Sequence, residues 1–251
     1  RDGQWLRTKA FPLMKAVADF WVSRVTRNDD GSYSICNVVG ADEYANGVDD
    51  NAFTNGAAIR ALEYACEAAR ICNEPVPEIW EEVGRGIRIL RFKDGVTREH
   101  ATYNGEMIKQ ADVNLLGYPL YFVGDAESQK KDMEYYVDKI DPQNGPAMSY
   151  SVFCVQYARM GDAKRAYEMF CRCYQPNLRT PFGVLAETPT SDNPYFMTGA
   201  GGLLQAVING FCGLQITDGG VEQLSSVLPA HWKKVTVKGV GPEKKMYTRE
   251  R

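Results

Sequence analysis

Histidine is scarce in this chain of 251 residues: only His100 and His231 are present, far apart. Two isolated imidazoles cannot make a zinc site, and the cysteines do not complete one. Cys171 and Cys173 are separated by a single residue, and no second Cys or His pair accompanies them. Seven cysteines, an odd number, argue against a disulfide framework. They are expected as free thiols buried like small hydrophobes. No metal and no cofactor is expected. Positive charge is also in short supply, with 29 Lys and Arg against 32 Asp and Glu and a net charge of -3. The only local basic cluster, Lys233 to Lys245, is short, so no nucleic-acid partner is expected. No apolar run approaches the roughly 20 residues that span a bilayer, so no membrane partner is expected either. A Gly-x-Ser-x-Gly elbow is missing, and no Lys-Ser/Thr follows the glycines at 199–202 as a phosphate-binding loop requires. The chain has no initiator Met and no signal-peptide pattern. It opens in mid-helix at Arg1-Asp2-Gly3-Gln4-Trp5, and is expected to be a piece of a longer protein.

What remains is an ordinary globular composition, 44% hydrophobic and 24% charged, with periodicity that is mainly helical. Leu6, Ala10, Leu13, Val17, Phe20 and Trp21 recur at steps of three and four, which predicts a helix buried on that face and kinked or interrupted at Pro12. Asn28-Asp29-Asp30-Gly31 marks a turn, and Tyr33 to Val39 reads as a short strand. A helix is predicted from about Asn51 to Cys72, with Phe53, Ala57, Leu62 and Ala65 inward. Another follows Glu74-Pro75-Val76-Pro77, through Ile79, Trp80, Val83 and Ile87. Further helices are expected near 110–122, 127–139, 146–160 and 162–174, with Gly161 ending one and Asp162 capping the next. A last helix over 196–211 begins with Gly199, Gly201 and Gly202, which suggests a close approach there. The tail alternates short apolar stretches with Gly and Pro and reads as strands. Helix pairs in this order suit an α/α barrel or a helical solenoid.

The chemistry concentrates in one polar stretch, Gly40-Ala41-Asp42-Glu43-Tyr44-Ala45-Asn46-Gly47-Val48-Asp49-Asp50-Asn51, which runs directly into a helix start. Acids and amides at that density can grip sugar hydroxyls. An elaborate helix cap or a calcium loop would use similar residues, though the oxygen spacing is not that of an EF-hand. Glu187 is a second candidate. It ends the apolar run Phe182 to Ala186 and is followed by turn-formers, a setting also common where a chain simply emerges at the surface.

The polar stretch, continued through Ala52-Phe53-Thr54-Asn55, resembles the signature of glycoside hydrolase family 65: Gly-Pro-Asp-Glu-Tyr followed by a helix start with Tyr-Thr-Asn. Ala41 stands in place of the usual Pro, and Phe53 in place of the usual Tyr. Lys109-Gln110-Ala111-Asp112 resembles the family's sugar-binding block, and Gly199-Ala200-Gly201-Gly202 with Leu204-Gln205-Ala206-Val207 its glycine-rich late helix. The resemblance runs from Gln4 to about Gly239. It implies an all-α fold, the later helices of an (α/α)6 barrel over 1–212, with a small β tail over 213–251 packed on it. It also implies Glu43 as general acid, and Lys109 and Gln110 as ligands of the released glucose. Asp42 and Tyr44, beside Glu43, are expected to bind substrate as well.

The family's phosphorolytic branch carries a His-Ser-Ser segment where this chain has Pro146-Ala147-Met148-Ser149-Tyr150-Ser151. Without the His, a phosphate dianion there would be poorly compensated. The Pro181 to Gly202 segment looks more like the hydrolytic branch, which acts on glucosylgalactosylhydroxylysine or kojibiose and keeps its general base at the position of Glu187. The reading is an inverting exo-α-glucosidase acting on a small carbohydrate, its two carboxyl groups spaced to admit a water. The alternatives are a phosphorylase, an acid-trehalase type of enzyme, or a helical carbohydrate-binding scaffold without turnover. The N-terminal remainder of the enzyme is expected as a partner.

Overall fold

The helix at the start of the chain is continuous but not uniform. The computed structural model describes residues 2–122 and 125–251. A single turn, α1 (Gly3–Trp5), leads through a π segment, Leu6–Ala10, into α2 (Phe11–Arg24). Asp2 caps it, its carboxylate accepting the Trp5 amide at 2.9 Å. The disturbance expected at Pro12 is thus a widened turn: Phe11 N–H bonds to the Leu6 carbonyl, five residues back. The predicted face is borne out at Trp21 and corrected at its centre. Leu13 is 67% exposed, Val17 and Phe20 are exposed too, and the face that packs carries Met14, Ala18, Trp21 and Val22. Two apolar rows share the helical period, and periodicity alone cannot choose between them.

The described residues form two compact units, Arg1–Glu106 with Leu120–Asp132, and Met107–Pro119 with Met133–Arg251. In the first, α3 (Ala52–Cys72) begins where expected. Asn51 caps it by accepting from the Thr54 amide at 2.9 Å, and Asn73 closes it at φ 58°. α4 (Glu78–Gly86) lays Trp80 and Val83 against Leu62, Ala65 and Cys66 of α3 and Ala18 of α2, forming the unit's core. The buried Trp80 indole donates to Asp19 at 3.0 Å. The strand expected over 33–39 is shorter: β1 (Thr26–Arg27) pairs antiparallel with β2 (Tyr33–Ser34). α5 (Ala126–Tyr136) spans the division between the units.

The second unit is built on α6 (Met148–Arg159), which is buried on nearly every side. α7 (Ala163–Arg172) turns back from it at Gly161, φ 88°, with Asp162 accepting the Arg165 amide at 2.9 Å. α8 (Met197–Gln205) and a π segment, Ala206–Phe211, lie along α6 so closely that glycine is needed: a Cβ on Gly202 would meet Ser151 Oγ at 2.6 Å, and one on Gly210 would meet Val155 Cα at 3.2 Å. The close approach suggested by the glycine-rich segment is therefore helix against helix.

The helix predicted over 110–122 is corrected to one 3-10 turn, Val113–Leu116. Gly117 and Pro119 prevent propagation, and the Ala111 amide is taken by Ser149 Oγ of α6 at 3.2 Å. Strands are not confined to the tail, because β3 (Leu178–Arg179) pairs with β4 (Val184–Leu185) ahead of α8. In the tail, β5 (Leu214–Thr217) pairs with β6 (Gly220–Gln223), and β7 (Lys234–Val240) with β8 (Lys245–Glu250). β7 holds Lys234 and Lys238 of the basic cluster, and β8 shows little apolar alternation, so pairing rather than pattern defines it. The tail is tied to α6 through Arg159, whose guanidinium donates to the Asn209 carbonyl at 3.1 Å and to Gln215 at 2.9 Å. Among the described residues the architecture is helix-rich with four antiparallel strand pairs. Among the described residues, no helix is long and apolar enough to cross a membrane.

Candidate active site

The polar stretch of the first unit folds as a loop on a short stalk. Val38 and Val48 exchange backbone hydrogen bonds at 2.9 and 3.0 Å. The Asn37 amide donates to the Asp49 carboxylate at 2.8 Å, and the Asp50 amide to the Ile35 carbonyl at 2.9 Å. Turns at the stalk use left-handed backbone, which Asn37 (φ 54°), Gly47 (φ 68°) and Asp50 (φ 53°) tolerate. At the tip Asp42 is only 2% exposed, and it makes the turn: its carboxylate accepts the Tyr44 amide at 3.2 Å and its carbonyl the Ala45 amide at 3.1 Å. Glu43 and Tyr44, by contrast, are exposed. A buried Asp that shapes the turn thus presents its two neighbours to solvent.

The segment 97–103 buttresses this loop. The Glu99 carbonyl accepts the Ala52 amide at 2.7 Å, and the Ala101 amide donates to the Asp49 carbonyl at 2.9 Å. Burial holds the His100 imidazole below its ordinary value; Glu106 and Asp42 oppose the shift, while Arg98 adds to it.

In the second unit the structure brings Lys109 and Glu187 together, Nζ to Oε1, at 3.8 Å. Lys109 is placed by its neighbours: the Ile108 amide bonds to the Lys139 carbonyl at 2.9 Å, and the Asp141 amide to the Ile108 carbonyl at 2.8 Å. Gly145 makes room for this, since a Cβ there would lie 2.6 Å from Ile140 Cγ2 and 2.4 Å from the Asp141 carbonyl oxygen. Gln110 is buried directly after Lys109. Glu187 leaves strand β4 on a rigid mount. Its carbonyl accepts from the Ala147 amide at 3.1 Å and from the Asn177 side chain at 3.0 Å. Arg179 then gathers the Pro189 and Ser191 carbonyls at 2.8 and 2.7 Å and folds the following loop. The side chains of Lys109 and Glu187 keep 18% and 35% of their surface, enough to meet a ligand.

Ser149 and Ser151, where the phosphorolytic branch has its serines, are turned to structural use. Both are buried; Ser149 Oγ accepts the Ala111 amide, and Ser151 Oγ donates to the Met148 carbonyl at 2.6 Å. Sequence reasoning missed Asn177 and Arg179, which sit in a stretch with no distinctive pattern, and Arg88, whose role appears only in its long-range contacts. The cysteines are free, as expected, and burial pushes the Cys154 and Cys173 thiols well up, which leaves them inert. No group of three or more His, Cys, Asp or Glu among the described residues is arranged to hold a metal.

Residues 1–88 match the glycosyl hydrolase family 65 central catalytic domain. A kojibiose hydrolase of Mucilaginibacter mallensis is 50% identical over 247 residues, which is 98% of this chain and 36% of that protein. A protein-glucosylgalactosylhydroxylysine glucosidase of Danio rerio is 38% identical over 232 residues, covering 89% and 34%. Among solved structures, one described as "Putative kojibiose phosphorylase from human microbiome" matches with a TM-score of 0.70 at 18% identity, over 94% of this chain and 38% of that one. At that identity the match speaks for the fold alone. The chain spans about a third of the length of the curated relatives it matches.

Proposed function

We propose that this chain, which belongs to glycoside hydrolase family 65, carries the acid and the base of an inverting exo-α-glucosidase. The proposal takes 1–212 as the later helices of an (α/α)6 barrel and 213–251 as a β tail packed on it. The rest of the barrel and an N-terminal region complete the enzyme. Glu43, exposed at the tip of its loop, protonates the departing oxygen. Glu187 takes a proton from the water that attacks the anomeric carbon from the opposite face, so the product is the β-anomer. Lys109 and Gln110 hold the glucose being released, Tyr44 borders it, and Asp42 shapes the turn that presents the acid.

One observation carries the hydrolytic reading: a partly exposed carboxylate, Glu187, is fixed at its own carbonyl and faces the Lys109 ammonium at 3.8 Å. A carboxylate so held can accept a proton from water, whereas a phosphorylase brings its own nucleophile and needs no base. Burial of both Ser149 and Ser151, with the Ser151 proton committed to the Met148 carbonyl, also argues against a phosphate cradle. The two similar hydrolases named above support an α-glucosidic substrate of the kojibiose or glucosylgalactosyl type. The test is product analysis by NMR with the complete protein and kojibiose, trehalose and maltose in turn. β-Glucose should appear first, at a rate that phosphate does not raise. Glucose 1-phosphate among the products would reinstate the phosphorylase reading.

A further inference from the structure

The Glu43 loop returns to the body of its unit at Asp50, and the contacts there form a buried clamp. Asp50 is almost fully enclosed, and its carboxylate collects donors from three segments. Arg88 Nη2, just beyond α4, donates to Oδ2 at 2.7 Å. The Ser34 hydroxyl, on β2, donates to the same oxygen at 3.1 Å. Asn55, in the first turn of α3, reaches Oδ1 at 3.4 Å and also donates to the Arg88 carbonyl at 2.7 Å. Arg88 Nη2 contacts Ser34 Oγ as well, and the Arg88 amide bonds to the Tyr33 carbonyl at 3.1 Å. A charge buried this deeply is tolerated only when paired and hydrogen-bonded, so the carboxylate and the guanidinium hold each other in place. Asp50 also has a left-handed backbone, φ 53°, at the junction between the stalk and the Asn51 cap. Whatever fixes Asp50 therefore fixes the direction in which the loop leaves the helix.

We propose that Asp50 and Arg88 are positioning residues for proton delivery: their clamp holds the stalk of the 38–48 loop so that Glu43, at its tip, meets the departing oxygen. This rests on the reading of Glu43 as general acid. Neither residue touches substrate in this scheme. Their effect is on geometry, and misplacement of a reacting group by about 1 Å costs on the order of a hundredfold in rate.

The distinguishing measurement is dependence on the leaving group. Fluoride departs with little help from an acid, whereas a sugar oxygen needs a proton. In the complete enzyme, Asp50→Asn keeps the size and the left-handed backbone but removes the charge that pairs with Arg88. It should lower kcat on kojibiose by about a hundredfold while α-glucosyl fluoride is cleaved within about threefold of the unaltered rate. Arg88→Met should behave the same way, and Arg88→Lys, which retains a charge but not the fork of donors, should fall between. The Lys variant carries the test if Asp50→Asn does not fold, with circular dichroism and thermal melts confirming native structure. Equal losses on both substrates, or an undiminished kojibiose rate, overturn the clamp. Glu43→Gln, run in the same assay, separates the two readings. If it lacks the split, the acid assignment falls and the clamp with it; if it shows the split and the clamp variants do not, only the clamp falls.

Discussion

Lys109 Nζ lies 3.8 Å from Glu187 Oε1, an ion pair between two loops that are far apart in the chain. Both groups are partly exposed, so water screens the attraction and the pair adds little to stability, at most about 1 kcal/mol. Its value is orientation: the ammonium fixes one carboxylate oxygen and leaves the other for a ligand. Lys109→Met is therefore expected to melt close to the unaltered protein and to lose about a hundredfold in kcat/KM on every α-glucoside. Thermal melts and steady-state kinetics check the two halves. A variant with full activity would remove Lys109 from the site.

The two glutamates should fail in different ways. Glu43→Gln removes protonation of the leaving oxygen, so disaccharides should lose most of their rate while α-glucosyl fluoride is partly spared. Glu187→Gln removes activation of water, which every substrate needs, and both kinds should suffer alike. Azide supplied to Glu187→Gln should replace the water and give β-glucosyl azide, detectable by mass spectrometry. Near-normal hydrolysis by Glu187→Gln would show that the base lies elsewhere.

Asp132 provides a pH test of the first unit. It is buried on α5, its Oδ1 accepts the Thr97 amide at 2.7 Å, and its Oδ2 has no partner. Burial raises its carboxyl above the ordinary 3.8, against the lowering effect of the Thr97 hydrogen bonds. The folded state thus binds the proton more tightly than the unfolded chain. Stability falls as pH climbs from about 3.8 through the raised value, and the cost persists at neutral pH. Asp132→Asn keeps the acceptor for Thr97 and removes the buried charge. It should melt higher than the unaltered protein at pH 7, with the advantage shrinking as the pH approaches 4. An advantage independent of pH in melts across that range would refute this account.

Gly202 is required by packing. A Cβ there would meet Ser151 Oγ at 2.6 Å and Ser151 Cβ at 3.1 Å. Gly202→Ala should therefore cost about 1–3 kcal/mol, read from denaturant unfolding. Ser151→Ala removes the nearer of the two atoms, so the double variant should recover part of that loss. If the single change is neutral, the two helices can separate without penalty and the contact is not tight.

The sequence by itself determined what depends on neighbours in the chain. Asp162 caps its helix as predicted and Asn51 caps α3 at the expected helix start, because a cap is a bond to an amide three residues on, and Gly161 takes the left-handed turn that only its freedom makes easy. The dense acidic and amide loop was likewise visible, as was the glycine-rich helix. The structure alone decided what depends on distant segments. Which apolar row of α2 is buried follows from where α3 and α4 lie, and both rows have the same period. The segment 110–122 settles as a single 3-10 turn among contacts from a distant helix, Ser149 Oγ accepting the Ala111 amide and the Gln156 side chain donating to the Asn114 carbonyl. The Lys109–Glu187 pair, the Asn177 mount and the Asp50–Arg88 clamp join residues with no sequence relation to one another. Local preference amounts to a few tenths of a kcal/mol up to about one per residue, and a buried amide or charge without a partner costs more. Long-range satisfaction of such groups therefore overrides local pattern, and in this chain it does so at the loops that carry the candidate acid and base.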